Sequence, residues 1–217
     1  MIKHGVKFGN IHSFTDLDLI LAPFVLTPAT PKLNILEIAG GDGSLDLTEA
    51  LGEIRYKDRE FKLTFTVNPS SDMTFEEKVV QVSNVLNGRR FNITFDRDDE
   101  YYWDGRISVN QYLQDKNLNQ IVLSATVKPY KLKQTETEVT FDLTSADQEI
   151  ILQNSRKSVV PEIICSHAGT IVTDGSASYV LQQGSQELAE IKLVEGTNTF
   201  KARGNGTITF VYREGVL

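Results

Sequence analysis

The chain is poor in the residues that most often carry chemistry. Its 217 residues include one cysteine, Cys165, and three histidines, His4, His12 and His167. A single cysteine excludes an intramolecular disulfide and fits synthesis in a reducing compartment. Three scattered histidines do not supply the closely spaced ligands of a zinc site. Long hydrophobic runs are also missing. The longest, Leu19 to Leu26, is broken by Pro23 and falls far short of the roughly 20 apolar residues that cross a bilayer. The opening MIKHGVKFGN has no apolar stretch of the secretory kind, so assembly inside a cell is expected, with no membrane insertion. Basic charge is in deficit. Lys and Arg number 22 against 29 Asp and Glu, a net charge of −7. That balance argues against a nucleic-acid binder, whose affinity comes from cationic surface releasing counterions. Proline and glycine are not in excess, and the length suits one large domain or two small ones with a core of useful size.

The motifs that remain are weak ones. Cys165-Ser166-His167 brings a thiol near an imidazole, but positions i and i+2 of a strand share a face without defining attack geometry. A buried strand cysteine is the expectation there. Gly40-Gly41-Asp42-Gly43 lacks the Lys-Ser or Lys-Thr of a phosphate-binding loop and reads as a turn. The acidic cluster Asp96, Asp98, Asp99 and Glu100 lacks the glycine and terminal glutamate of a calcium-binding loop, and reads as a charged hairpin turn. Gly175-Ser176-Ala177-Ser178 is not a nucleophile elbow, because no glycine follows. No catalytic residue, metal ligand or cofactor is assigned, and the chain is expected to bind or build rather than to catalyse.

One helix stands out from a background of strands. Thr74 with Glu77 forms a capping box, Phe75, Val79, Val82 and Leu86 make one apolar stripe, and Asn87-Gly88 is a stop signal. This predicts a helix over about 74–87, and its only available partner is a sheet. Phe61, Leu63, Phe65 and Val67 alternate with polar residues, as do Phe91, Ile93 and Phe95, so both segments read as strands with one wet face. Asp104-Gly105 after Tyr101-Tyr102-Trp103 reads as a hairpin turn. Pro23, Pro28 and Pro31 fall between Ala22 and Asn34, which marks an extended arm that contacts a neighbour. From Val139 onward, short β-rich runs, Leu188–Val194 among them, are separated by turn signals, the pattern of an antiparallel sandwich. The fold class is therefore mainly β. An N-terminal β domain with one helix covers residues 1–132 and a C-terminal β-sandwich covers 133–217.

The order of motifs is similar to that of the distal tail protein (Dit) family of phages and prophages of Gram-positive bacteria. The matching features are Gly41-Asp42-Gly43 with Asp46 and Thr48, Tyr56-Lys57-Asp58-Arg59 before the strand Phe61 to Val67, and the helix ending Leu86-Asn87-Gly88. Tyr101 to Arg106 and Lys128-Pro129-Tyr130-Lys131 follow. The second half adds Val160-Pro161, Leu193 with Gly196-Thr197-Asn198, and the last strand Phe210-Val211-Tyr212-Arg213. The resemblance implies a virion structural protein of the tail tip or baseplate, a hexameric ring whose N-terminal domains make the ring. It implies a galectin-like C-terminal sandwich pointing outwards. The partners it implies are other copies of the chain, the major tail tube protein, a tail-associated lysin or fibre hub, and a receptor-binding protein, with DNA only in transit. Candidate contact residues are Pro23, Phe24, Pro28, Pro31, Arg89 and Arg90. The alternative is a carbohydrate-binding adhesion module reading host cell-wall glycans through the C-terminal sandwich, although the aromatic residues there are few.

Overall fold

The computed structural model describes residues 5–50, 52–115 and 118–217. The chain divides into two compact units, Met1–Lys131 and Leu132–Leu217. Both are mainly β.

The first unit contains β1 (Val6–Phe8), β2 (Ile11–His12), β3 (Leu19–Leu21), β4 (Ile35–Glu37), β5 (Ser44–Asp46), β6 (Arg59–Val67), α1 (Phe75–Leu86), β7 (Arg90–Phe95), β8 (Tyr101–Asp115) and β9 (Leu118–Val127). Seven of these strands form one sheet in the order β2-β1-β7-β8-β9-β6-β3. The register places Leu63 opposite Leu123 and Phe65 opposite Ile121, and Ile107 opposite Ala125. Period-two alternation then gathers Phe8, Phe61, Leu63, Phe65, Ile93, Trp103, Ile107, Ile121 and Leu123 into one core.

The helix lies over this core. Thr74 caps it: its hydroxyl oxygen accepts the Glu77 N–H at 3.3 Å, and the Glu77 carboxylate accepts the Thr74 N–H at 2.9 Å. Asn87 closes it, donating its N–H to the Ser83 carbonyl, and Gly88 follows at φ +74°. Val82 and Leu86 are fully buried, while Phe75, Val79 and Val85 pack around the margin. Lys78 is the surprise. It is 1 % exposed, and its ammonium reaches the Asp18 carboxylate at 3.3 Å and the Gln81 side-chain oxygen at 2.9 Å. A lysine hidden in the apolar stripe pins the helix to the turn before β3.

Asp104-Gly105 is no turn. Both residues sit inside β8, a strand of 15 residues. The glycine is there for close approach. A Cβ at position 105 would meet Val127 Cγ1 at 2.5 Å and the Thr126 carbonyl oxygen at 2.6 Å. Asp104 instead pairs with Arg90 across the β7–β8 ladder, and that partner holds its carboxyl below the usual range.

The second unit follows β10 (Lys131–Lys133). It contains β11 (Thr137–Leu143), β12 (Gln148–Asn154), β13 (Glu162–Cys165), β14 (Thr170–Thr173), β15 (Ser178–Leu181), β16 (Gly184–Glu187), β17 (Gly196–Arg203), β18 (Gly206–Tyr212) and β19 (Gly215–Val216). Two four-stranded sheets, β11-β18-β13-β16 and β12-β17-β14-β15, enclose Ile150, Leu152, Ile163, Phe200, Ile208 and Phe210. Leu188–Val194 does not form the strand that its composition predicts. The strand lies just before it at β16, and Ile191 and Leu193 drop into the core from a loop that touches Val159 by one bridge. The end of the chain is tied down at Glu214. Burial raises its carboxyl, but hydrogen bonds from Ser155, Thr137 and Lys133 outweigh that and leave it below its ordinary value.

Two outcomes follow from these contacts. Gly105→Ala forces overpacking at the β8–β9 ladder and costs about 1–3 kcal/mol, read as a lower urea midpoint. An unchanged midpoint would mean that the strands open there. At the β14–β15 turn, Asp174 accepts the N–H groups of Ser176 and Ala177, both at 2.8 Å, together with the Ser176 hydroxyl at 2.9 Å. These bonds, the backbone ones foremost, lower its pKa to about 2. The folded value lies below the unfolded value of about 3.9, so the stabilisation is fully present above that pH and is lost as pH falls towards 2. A carboxyl-carbon NMR titration should place the Asp174 midpoint near 2, and a midpoint near the ordinary aspartate value would remove the turn's role.

Candidate docking surfaces

The arm after β3 begins as a strap on its own sheet. The Ala22 N–H donates to the Thr64 carbonyl at 2.9 Å, and the Thr27 hydroxyl donates to the Glu60 carbonyl at 3.2 Å. Arg59 clamps it. The guanidinium of this buried residue donates to the Thr27 carbonyl at 2.7 Å while lying 4.3 Å from the centre of the Trp103 ring. Burial pulls its pKa below the ordinary arginine value. Phe24 stacks on Phe95 with ring centres 4.8 Å apart, and the Arg97 guanidinium lies 4.5 Å over its outer face. Together with Ile20, Leu21, Pro23 and Gly5, these residues line a pocket of about 330 Å³ beside β3, the last strand of the sheet. Pro31 is half-buried and bridges to Tyr56, whereas Pro23 and Pro28 are exposed. Phe24 thus works first within its own chain, and Pro28 faces solvent.

Beyond Pro31 the chain leaves the sheet. β4 and β5 form a two-stranded hairpin of their own, with Leu36 opposite Leu45 and Ile35 opposite Asp46. Every residue of both strands is exposed. Leu33 is 60 % exposed, Ile35 51 %, Leu36 54 %, Ile38 52 % and Leu45 47 %. A lone two-stranded hairpin is marginal in water; Leu36 and Leu45 share one of its faces and Ile35 lies on the other, and exposed apolar surface of this kind marks an interaction site. The proline spacing revealed the arm. The apolar hairpin at its end carried a signal of its own in the runs Leu33–Ile38 and Leu45–Leu47.

Arg89 and Arg90 are exposed after the helix. Arg90 forms an ion pair with Asp104, and Arg106 donates to the Gly88 carbonyl. The pair and the arm lie in the same unit.

The motifs weighed for chemistry have structural partners. Cys165 is buried, and burial pushes its thiol up, away from a reactive thiolate. The imidazole of His167 meets the Ser166 hydroxyl at 3.0 Å, and that hydroxyl also accepts the Thr207 N–H at 2.7 Å. In the acidic turn, Asp96 pairs with His12 at 3.1 Å and Asp98 with Lys131 at 2.5 Å. Among the described residues no group of three His, Cys, Asp or Glu is placed to hold a metal ion, and no helix is long and apolar enough to cross a membrane. In the second unit, Phe200, Phe210 and Tyr212 are buried, and Phe141 and Tyr179 are half-buried. Its faces carry no exposed aromatic ring of the sort that stacks on a sugar.

No family model matches the chain, and no curated protein matches it. A solved structure does. The chain is similar to the Dit (gp 19.1) protein of SPP1, described as a paradigm of the hub adsorption apparatus in phages that infect Gram-positive bacteria. The match covers 98% of this chain and 99% of that one, with a TM-score of 0.71 and 18% sequence identity. At that identity the likeness speaks for the fold. Over nearly its whole length, this chain has the fold of the SPP1 distal tail protein.

Proposed function

We propose that this protein is a non-enzymatic hub of a phage tail tip. Six copies form a ring that joins the tail tube to the fibre or lysin-bearing hub and leaves a passage for DNA. The full-length likeness in fold to the SPP1 hub protein carries this reading. The uncovered apolar hairpin at the end of the arm supports it, because a monomer gains nothing from presenting five aliphatic side chains to water. A cyclic ring needs heterologous contacts, in which one patch meets a different patch on the next copy. An arm that ends in an apolar hairpin is half of such a contact. In this reading the N-terminal unit makes the ring and the C-terminal sandwich faces outwards. The partners on the two ring faces are the major tail protein and the tail-associated hub, with a receptor-binding protein beyond. No observation on the C-terminal unit favours glycan binding instead.

Light scattering and negative-stain imaging of the purified chain test the proposal. Particles of six-fold symmetry with an open centre are the expected result, formed either by the chain alone or on addition of the tail tube protein. A strict monomer under both conditions would overturn it.

A further inference from the structure

The chain holds two Asn-Gly steps, Asn87-Gly88 and Asn205-Gly206, and the fold treats them differently. Such a step is open to attack by the backbone on its own side chain, because no Cβ on the glycine crowds the ring that forms. At the end of the helix both partners in that attack are held. The Asn87 side-chain oxygen accepts the Val109 N–H at 3.0 Å, and the Gly88 N–H donates to the Ile107 carbonyl at 2.8 Å. Asn205 stands instead where the chain passes from β17 in one sheet of the sandwich to β18 in the other. It is exposed, and its side chain makes no hydrogen bond among the described residues. Gly206 follows at φ +77°, and a Cβ there would overlap the Ser166 hydroxyl and the His167 ring. Those two groups therefore lie against the Gly206 backbone itself. They are fixed there. Ser166 donates its N–H to the Thr207 carbonyl at 3.0 Å, and its hydroxyl oxygen accepts the Thr207 N–H at 2.7 Å and meets His167 Nδ1 at 3.0 Å.

We propose that Asn205 is a site of self-modification, with the His167 imidazole as the proton acceptor. The Gly206 nitrogen attacks the side-chain carbonyl carbon of Asn205. A new C–N bond closes a succinimide ring, and the bond from that carbon to the side-chain nitrogen breaks. The Gly206 amide proton passes to the imidazole and leaves with the departing nitrogen as ammonia. Water then opens the ring at either carbonyl, giving aspartate in the normal chain or an isoaspartate linkage. One side-chain amide and one water are consumed, and one carboxylate and one ammonium are formed. Nucleophile and carbonyl belong to adjacent residues, so the chain itself supplies their proximity. The rate is left to the freedom of the side chain and to a nearby base, and the fold provides both only at Asn205. Either product adds a negative charge where the chain crosses between the two sheets, and the isoaspartate linkage adds a methylene to the backbone there.

Ageing the purified full chain at neutral pH and physiological temperature tests this. Both Asn-Gly peptides are followed by the mass gain of amide-to-acid conversion, and isoaspartate is read by its enzymatic methylation. Asn205 should convert at least about 10-fold faster than Asn87, the worth of the two hydrogen bonds that Asn87-Gly88 must break. In urea that contrast should vanish, because both steps then answer only to their local sequence. His167→Ala should slow conversion at Asn205 alone by about 100-fold, the low end of what a positioned base supplies. Free imidazole should restore part of the lost rate, which it would not do for a histidine that only props up the turn. Equal rates at the two steps in the folded chain would overturn the proposal, and so would a contrast that survives urea. A rate at Asn205 that ignores His167→Ala, or falls without rescue by imidazole, would overturn it as well.

Discussion

The N-terminal unit depends on covering one face of a wide sheet with very little helix. Seven strands at about 4.8 Å spacing are about 29 Å across. The single helix has 12 residues, about 18 Å of length, and a width of about 10 Å. It can shelter two or three strands. The rest of the apolar face has to be closed by other means, and the sequence supplies large aromatic side chains for it. Phe8 meets Phe65 and Phe91 edge-on, Phe61 meets Trp103, and Phe24 stacks on Phe95 from outside the sheet. The root of the arm is in this sense a second covering element. That explains why the segment around Pro23 is strapped down over its first residues, while the exposed hairpin comes only after the backbone bonds of Thr30 and Lys32 to Lys57 and Arg55. The same need explains the buried Arg59, which spends its hydrogen bonds on the arm's backbone and its flat face on Trp103.

What could be read in the sequence follows from the range of the forces involved. Local signals were legible. The capping box at Thr74 and Glu77, the stop at Gly88 and the alternation from Phe61 to Val67 each depend on neighbours within a few residues, and each stands in the structure as the spacing implies. Features set by distant partners were misread. Asp104-Gly105 has the composition of a tight turn, but its glycine answers to Val127 and its aspartate to Arg90, across two different strand pairs. The burial of Lys78 has no local signal either, because nothing nearby in sequence announces Asp18, 60 positions away. Leu188–Val194 had the right apolar content for a strand and lost the ladder to the segment before it.

The candidate surface was legible only in outline. Proline spacing located the arm, yet its residues first singled out do not share one role. Pro23 and Phe24 border the pocket, Pro31 braces the arm against Tyr56, and Pro28 faces water. The apolar tip of the arm reads in sequence as an ordinary strand, apolar on most faces. Only the three-dimensional arrangement reveals that its strands are exposed and that none of the described residues buries them. Alternation tells which side chains share a face and is silent on whether that face finds a partner.

The charge on the hairpin bears on the form that an assembly can take. Apolar area supplies most of the attraction at such a contact, and apolar area alone does not choose between a two-fold dimer and a ring. Glu37, Asp42 and Asp46, with no lysine or arginine on the same hairpin, penalise like meeting like. A contact between two different patches repeats from copy to copy, and it closes when the rotation per step divides a full turn. The excess of acid over base in the whole chain is thus also local to residues 37–49. Like charge on an exposed apolar hairpin opposes its pairing with a second hairpin of the same kind.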